Sequence, residues 1–241
     1  MGAGALGSVL AEEISKTAYS LNIGLKLDIY DFDDVEERNC AAQNFTPADL
    51  KKFKAEVVGL KCQTYAPAID VNYHIIKLTE ENITEQLQLD DQSIIIDVVD
   101  NIPTRQLLWL TGMTNNVPVI HAGMAQTGVG FVTWNYKEYD SFPYSPANID
   151  PKYLTRTVEK EEHKLPPCEL NGFRQMITNT AMATRDSLFL FFGIDITGEF
   201  KQVFEGEGRI LGLMTRWVTS TRNCELDAQQ SGSEEWVLRN G

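Results

Sequence analysis

A chain of 241 residues, 43% apolar and 23% charged, has enough apolar material for a sizeable core and falls outside the disordered class. Its formal charge of −13 comes from acids scattered along the whole length, which excludes nucleic acid as an expected partner in the absence of a local basic patch. The longest apolar run, Leu188 to Ile194, is too short to cross a bilayer and no signal peptide opens the chain, so no membrane association is expected.

Leu6, Val9, Leu10, Ile14, Ala18 and Leu21 recur at helical spacing behind a cluster of glycines, which predicts a helix as the first element. Leu25 to Tyr30 then reads as a strand ending in acids. Lys51 to Gln63 carries a helical period through Phe53, Val57, Val58 and Leu60. A strand at Val71 to Leu78 and a short helix near Glu80 to Leu87 continue the alternation. Ser93 to Asp100 is a nearly continuous β-branched run, the pattern of a strand covered on both faces in a parallel sheet. A helix starts near Pro103, a residue tolerated in the first turn, and strands at Val117 to Ala122 and Gly130 to Trp134 follow. From Asn135 to Pro167 the periodicity stops and Tyr, Pro, Asp, Glu and Lys dominate, as in a long excursion outside the core. Phe173 to Phe192 resumes as helix, and Phe200 to Val218 reads as two short strands around Gly206 and Gly208. No internal repeat or linker divides the chain, so residues 1–241 are expected to form one domain with an irregular region at 135–168.

The residues with chemical content cluster early. Gly2-Ala3-Gly4-Ala5-Leu6-Gly7 is a GxGxxG loop opening a helix, and free helix amides with no side chain in the way are what a phosphate needs for close approach. Asp31 ends the next strand, at the distance where dinucleotide-binding folds place a carboxylate on a ribose hydroxyl; the plain alternative is an acidic turn.

Asp31-Phe-Asp33-Asp-Val35-Glu-Glu-Arg-Asn39 resembles the D-x-D-x-V-x-x-x-N segment of the ThiF/MoeB and ubiquitin-activating-enzyme family. Asn39 and Gln43 match that family's N-x-x-R-Q, Lys54-Ala55 its lysine helix start, and Asp97-Val-Val-Asp100-Asn101 with Arg105 its D-x-x-D-N-x-x-x-R. Val117-Pro-Val-Ile-His-Ala-Gly123, Gly130-Phe-Val and Cys168-Glu-Leu-Asn-Gly are similar to later elements, so the likeness spans most of the chain.

The resemblance implies an α/β fold, a Rossmann-like doubly wound and mainly parallel sheet with helices on both faces, a long crossover loop and C-terminal antiparallel strands. It also implies an ATP-dependent adenylyltransferase that activates the C-terminal carboxylate of a ubiquitin-like or small sulfur-carrier-type protein as an acyl-adenylate. In that scheme Gly2, Gly4, Gly7, Asp31, Asp33, Asn39, Gln43, Lys54, Asn101 and Arg105 hold the nucleotide. Asp100 holds Mg²⁺, an ion that favours oxygen ligands. Asp100 and Lys54 serve the adenylation, and Cys168 is a candidate acyl acceptor, since a thiolate can attack an adenylate. A homodimer or heterodimer in the cytoplasm is expected. Each assignment has a plainer counterpart: Lys54 as a solvated charge beside Lys51 and Lys52, Arg105 and Asp97 as structural, Cys168 as an ordinary cysteine, His121 as a packed core histidine.

Three departures bear on the scheme. Ala42 stands where the family has a phosphate-binding arginine, and the sequence opens at the glycine loop, so either its start is truncated or the sheet is expected to lack a normally central strand. The four cysteines, Cys40, Cys62, Cys168 and Cys224, form no CxxC pair, so neither zinc nor a disulfide framework is expected. A non-catalytic partner or scaffold subunit that keeps the fold is the alternative function. An NAD-dependent oxidoreductase shares the glycine loop and Asp31 but leaves Asn39, Lys54 and Asp100 unexplained.

Overall fold

Strict alternation of apolar and polar residues makes Lys26–Tyr30 (β1) a strand with one buried face, Leu27 and Ile29 turning inward while Lys26 stays in solvent. In the computed structural model, which describes residues 1–124, 130–134 and 167–192, β1 pairs in parallel with Asp70–His74 (β2), Lys26 opposite Asp70 and Tyr30 opposite His74. Ile95–Asp97 (β3) is buried at all three residues and pairs in parallel with Val119–Met124 (β4), which pairs antiparallel with Gly130–Trp134 (β5). Among the described residues the hydrogen-bonded strands form two groups, β1–β2 and β3–β4–β5.

Helix Ala5–Ser20 (α1) ties the two groups together. Leu6, Leu10 and Ile14, spaced four apart, pack on Ile96, Ile120, Ala122 and Val132 of the three-stranded sheet. The small residues Ala11 and Ala18 face the other way, onto Leu27 and Ile29 of β1 and onto Ala55, Val58 and Cys62 of helix Lys54–Tyr65 (α3). Each large aliphatic side chain so buried contributes about 1.5–3 kcal/mol, which is why an α1 with no side-chain cap at its start stays in place. The opposite face of the three-stranded sheet, through Ile95 and Val119, is covered by Leu108 of helix Ile102–Asn115 (α5) and by Ile83 of the short helix Ile83–Leu87 (α4). Neighbouring strand residues thus serve opposite faces, the three-layer arrangement expected of a doubly wound sheet. Pro167–Phe191 (α6) lies along α1 and against β4 and β5. No helix among the described residues is long and apolar enough to cross a membrane.

Several boundaries differ from the sequence reading for identifiable reasons. The helix expected from Lys51 begins at Lys54, because Lys51 has a φ of 65° and residues 51–53 turn back to pair with Asp34 and Val35. Lys51 N–H donates to the Val35 carbonyl at 3.0 Å, Val35 N–H to that of Lys52 at 2.8 Å, and Phe53 bridges to Asp34. β3 stops at Asp97 rather than Asp100 because the Asp97 carboxylate accepts the Val99 N–H at 3.1 Å and turns the chain out of the ladder. β2 ends at His74, whose carbonyl takes the Asp31 N–H as the last rung that β1 can supply. α6 starts at Pro167, six residues before the expected Phe173, proline being tolerated in a first turn. The irregular segment from Asn135 to Pro166 and the strands expected between Phe200 and Val218 lie outside the described residues.

Candidate functional site

In parallel strands every carboxyl end lies on one edge of the sheet, and loops leaving that edge converge. Residues Met1–Gly4 cross it. The Met1 carbonyl accepts the Tyr30 N–H at 2.7 Å, and Ala3 N–H donates to Asp31 Oδ2 at 3.0 Å. A Cβ built on Gly2 would lie 3.8 Å from Val99 and 3.9 Å from Val98, the residues that lead from β3 into Asp100. One turn of chain therefore spans from Asp31 at the end of β1 to the approach of Asp100 beyond β3.

α1 opens from this turn with no side-chain cap on its first amides. Its N-cap is Gly4, with no side chain to take up the first amides and no acid in the first turn. Nothing lies within 4 Å of a Cβ on Gly4, so the helix end faces open space. At Gly7 the reverse holds: a Cβ would sit 2.0 Å from the Gly2 carbonyl oxygen, so only glycine lets the first helical turn pass so close to the loop. The combination leaves room for an anion where the helix dipole favours one.

Asp31 is fixed on two sides. Its second oxygen, Oδ1, accepts the Asp33 N–H at 3.0 Å. Burial pushes the carboxyl above its usual value, opposed by the two backbone amides and by Lys54, and the remaining lone pairs can accept hydroxyl donors. Asp33 in turn takes Lys54 Nζ on Oδ2 at 2.9 Å, while Lys54 N–H donates to the Asp33 carbonyl at 2.9 Å. Lys54 is only 8% exposed, so the plainer reading of it as a solvated charge is set aside. The turn at residues 51–53, hydrogen-bonded to Val35, brings this lysine to Asp33.

Asn39 is buried in Glu37–Ala42 (α2), its Oδ1 accepting the Glu36 N–H at 2.8 Å as half of a capping box. Gln43, just past α2, carries a buried Oε1 with no hydrogen-bond partner among the described residues. Asn101 caps α5 by accepting the Thr104 N–H at 2.9 Å, and Asp100 beside it is exposed.

Arg105 turns the other way, into the core. Its Nη1 donates to Asp97 Oδ2 at 3.0 Å and its Nη2 to the Ala122 carbonyl at 2.9 Å. His121 Nδ1 lies 2.6 Å from the same Asp97 oxygen, and neither the acid nor the imidazole has any solvent exposure. Burial pushes His121 below its usual value, against the pull of the Asp97 hydrogen bond; neutral imidazole then leaves one balanced Arg105–Asp97 pair. Asp97 thereby joins β3, β4 and α5 and holds the turn that carries Asp100. His121 is the packed core histidine the strand pattern predicts, but its bond to Asp97 was not foreseen.

Cys168 stands in the first turn of α6, and its side chain lies outside the described residues. Of the other cysteines, Cys62 is buried, and burial pushes its thiol up to about 11, far from a nucleophile at neutral pH.

The chain that carries this glycine turn, the carboxylate fixed beside it and the lysine held nearby is similar to known proteins. The profile of the ThiF family matches residues 1–222. The sulfur carrier protein ThiS adenylyltransferase of Bacillus subtilis is 31% identical over 124 residues, covering 50% of this chain and 35% of that protein. The human ubiquitin-like modifier-activating enzyme 1 is 23% identical over 222 residues, 88% of this chain and 18% of that protein, so the chain spans a minor part of both relatives. Among solved structures, E. coli MccB with AMPCPP and MccA superposes with a TM-score of 0.58 at 17% identity, over 82% of this chain and 56% of that one. PaaA superposes with a TM-score of 0.54 at 16% identity, over 77% and 61%, and both likenesses speak for the Rossmann-type fold. With the family's profile running from the glycine turn through α6, the chain belongs to the ThiF family.

Proposed function

We propose that the protein binds ATP across its opening turn and uses it to adenylate a carboxylate, that of the C-terminus of a ubiquitin-like or small carrier protein. The observation that carries this reading is the single edge on which the Ala3 amide, the Asp31 carboxylate and the Lys54–Asp33 pair meet, with Asp100 approached from the same glycine turn. Asp31 accepts the ribose hydroxyls, the free amides of α1 face phosphate, and Asn39, Gln43 and Asn101 line the path between. Arg105, committed to Asp97, is read as structural.

Adenylation needs alignment and charge neutralisation rather than a general base. A carboxylate oxygen of the partner forms a bond to the α-phosphorus, the bond to the bridging oxygen breaks, and pyrophosphate leaves with the electron pair; no proton moves. Lys54 has the charge to follow the phosphates, exchanging part of its contact with Asp33 for them. Among the described residues no group of three or more His, Cys, Asp or Glu is arranged to hold a metal, so Mg²⁺ at Asp100 would draw its other ligands from phosphate oxygens and water. Such an ion, when bound, supplies further neutralisation of the polyphosphate. Cys168 is the candidate acceptor of the acyl group: thioester formation would release AMP. Relatives that act on small proteins, and the MccB structure solved with MccA, support a polypeptide partner. A homodimer or heterodimer in a reducing compartment belongs to the same proposal.

The test is exchange of labelled pyrophosphate into ATP in the presence of candidate carrier proteins. Exchange in the wild type that disappears in Asp100→Ala supports the enzyme. Saturable ATP binding with no exchange for any partner would instead favour a scaffold subunit. A partner-dependent adduct, cleaved by added thiol and absent in Cys168→Ser, would assign the acceptor.

A further inference from the structure

The nucleotide reading leaves a deficit of positive charge. Asp31, Asp33 and Asp100 bring carboxylates to the edge, while Lys54 is already paired with Asp33 and Arg105 is buried against Asp97. Arg38 pairs with Glu36, and position 42 is alanine. A polyanion brought to such an edge needs another cation, because phosphate charge is matched best by donors already oriented toward it.

Helix α6 brings one from far along the chain. Arg174 Nε donates to the Ala41 carbonyl at 2.8 Å and Nη2 to the Cys40 carbonyl at 3.4 Å, in the last turn of α2 and directly before Ala42. The end of a helix offers carbonyls with no partner of their own, so the guanidinium is anchored there rather than free in solvent. Its third nitrogen, Nη1, makes no hydrogen bond among the described residues, and the side chain is exposed. Gln43, one residue past Ala42, has a buried amide oxygen without a partner among the described residues, and the amide turned over places an N–H at that position.

We propose that Arg174 is the phosphate-binding cation of this site, delivered by α6 across the end of α2 in place of a side chain at position 42. The proposal rests on the ATP reading above. It requires that the arginine act on the polyphosphate and not on the nucleoside, since Asp31 serves the sugar. An arginine that merely capped α2 would affect every nucleotide equally through the stability of the fold.

Calorimetric titration of the full chain with ATP and with AMP, alongside melting temperatures, separates these. Arg174→Ala is expected to weaken ATP by about tenfold or more, the scale of one hydrogen bond to a charged group, and AMP by about twofold or less. Arg174→Lys should recover part of the ATP affinity, and Ala42→Arg in the Arg174→Ala background should recover most of it. Unchanged ATP affinity in Arg174→Ala, or ATP and AMP falling together with the melting temperature, overturns the proposal while leaving the ATP site standing. A wild type that binds neither nucleotide sinks the ATP reading and this inference with it.

Discussion

Replacing Arg105 with glutamine decides between the two roles open to that residue. In the structure Arg105 is 6% exposed, and its guanidinium donates to a fully buried Asp97 and to the Ala122 carbonyl and so links α5 to β3 and β4. Removing it leaves the Asp97 carboxylate in the core with the Val99 amide and the His121 ring beside it. Breaking one side of a buried ion pair costs about 3–5 kcal/mol, a large share of the roughly 5–15 kcal/mol by which a domain is stable. At about 2–4 °C per kcal/mol for a chain of this size, the melting temperature should fall by roughly 6–20 °C. Nucleotide affinity, measured on protein well below its transition, should stay within about threefold, as expected of a residue that meets no phosphate. The loss should also shrink on acidification. Arg105 helps to hold His121 below its usual value, so its removal lets the imidazole take up a proton more readily and supply the missing positive charge. The reasoning is refuted if Arg105→Gln melts with the wild type while its ATP affinity drops by an order of magnitude.

Further outcomes follow from other contacts. Lys54→Gln should lower ATP affinity by about 10–150-fold, the range for a hydrogen bond to a charged group. Its unfolding free energy in urea should change by no more than about 1 kcal/mol, because the partner Asp33 carboxylate is 43% exposed and well screened. A Cβ at Gly7 cannot coexist with the Gly2 carbonyl 2.0 Å away, so Gly7→Ala should cost about 1–3 kcal/mol by thermal melting and abolish ATP binding; an unaffected titration would show that the loop plays no part. His121 has a folded-state value below the unfolded 6.5, so the unfolded chain binds the extra proton first and stability should fall as pH drops through and below about 6.5. The slope from this group is at most about 1.4 kcal/mol per pH unit, and urea midpoints of His121→Asn should lack that component. Equal slopes in both proteins would exclude His121 as the titrating group.

How much of this was legible beforehand depends on chain separation. The glycine turn, the helix it opens, and Asp31 at the end of β1 are set by neighbours within one βα unit, where backbone freedom, helix amides and strand period act over short distances. The acids Asp97 and Asp100 were both placed on one covered strand by the β-branched run around Ile95, but the strand ends at Asp97 and leaves Asp100 beyond it. Extents were less legible: the period of Lys51–Gln63 gives no sign that residues 51–53 leave the helix to pair with Asp34 and Val35, since that pairing is with chain outside the window. Which way Arg105 turns was open for the same reason. The motif spacing suits both a phosphate and a core acid, and only the meeting of β3, β4 and α5 around Asp97 selects the core. Arg174 had no local signal at all, lying more than a hundred residues from the α2 carbonyls it caps. Local sequence thus determined the elements and the chemical groups at the edge of the sheet. Tertiary packing alone decided which cations are bound within the protein and which remain for a ligand, because charge pairing depends on distances in space that no spacing along the chain encodes.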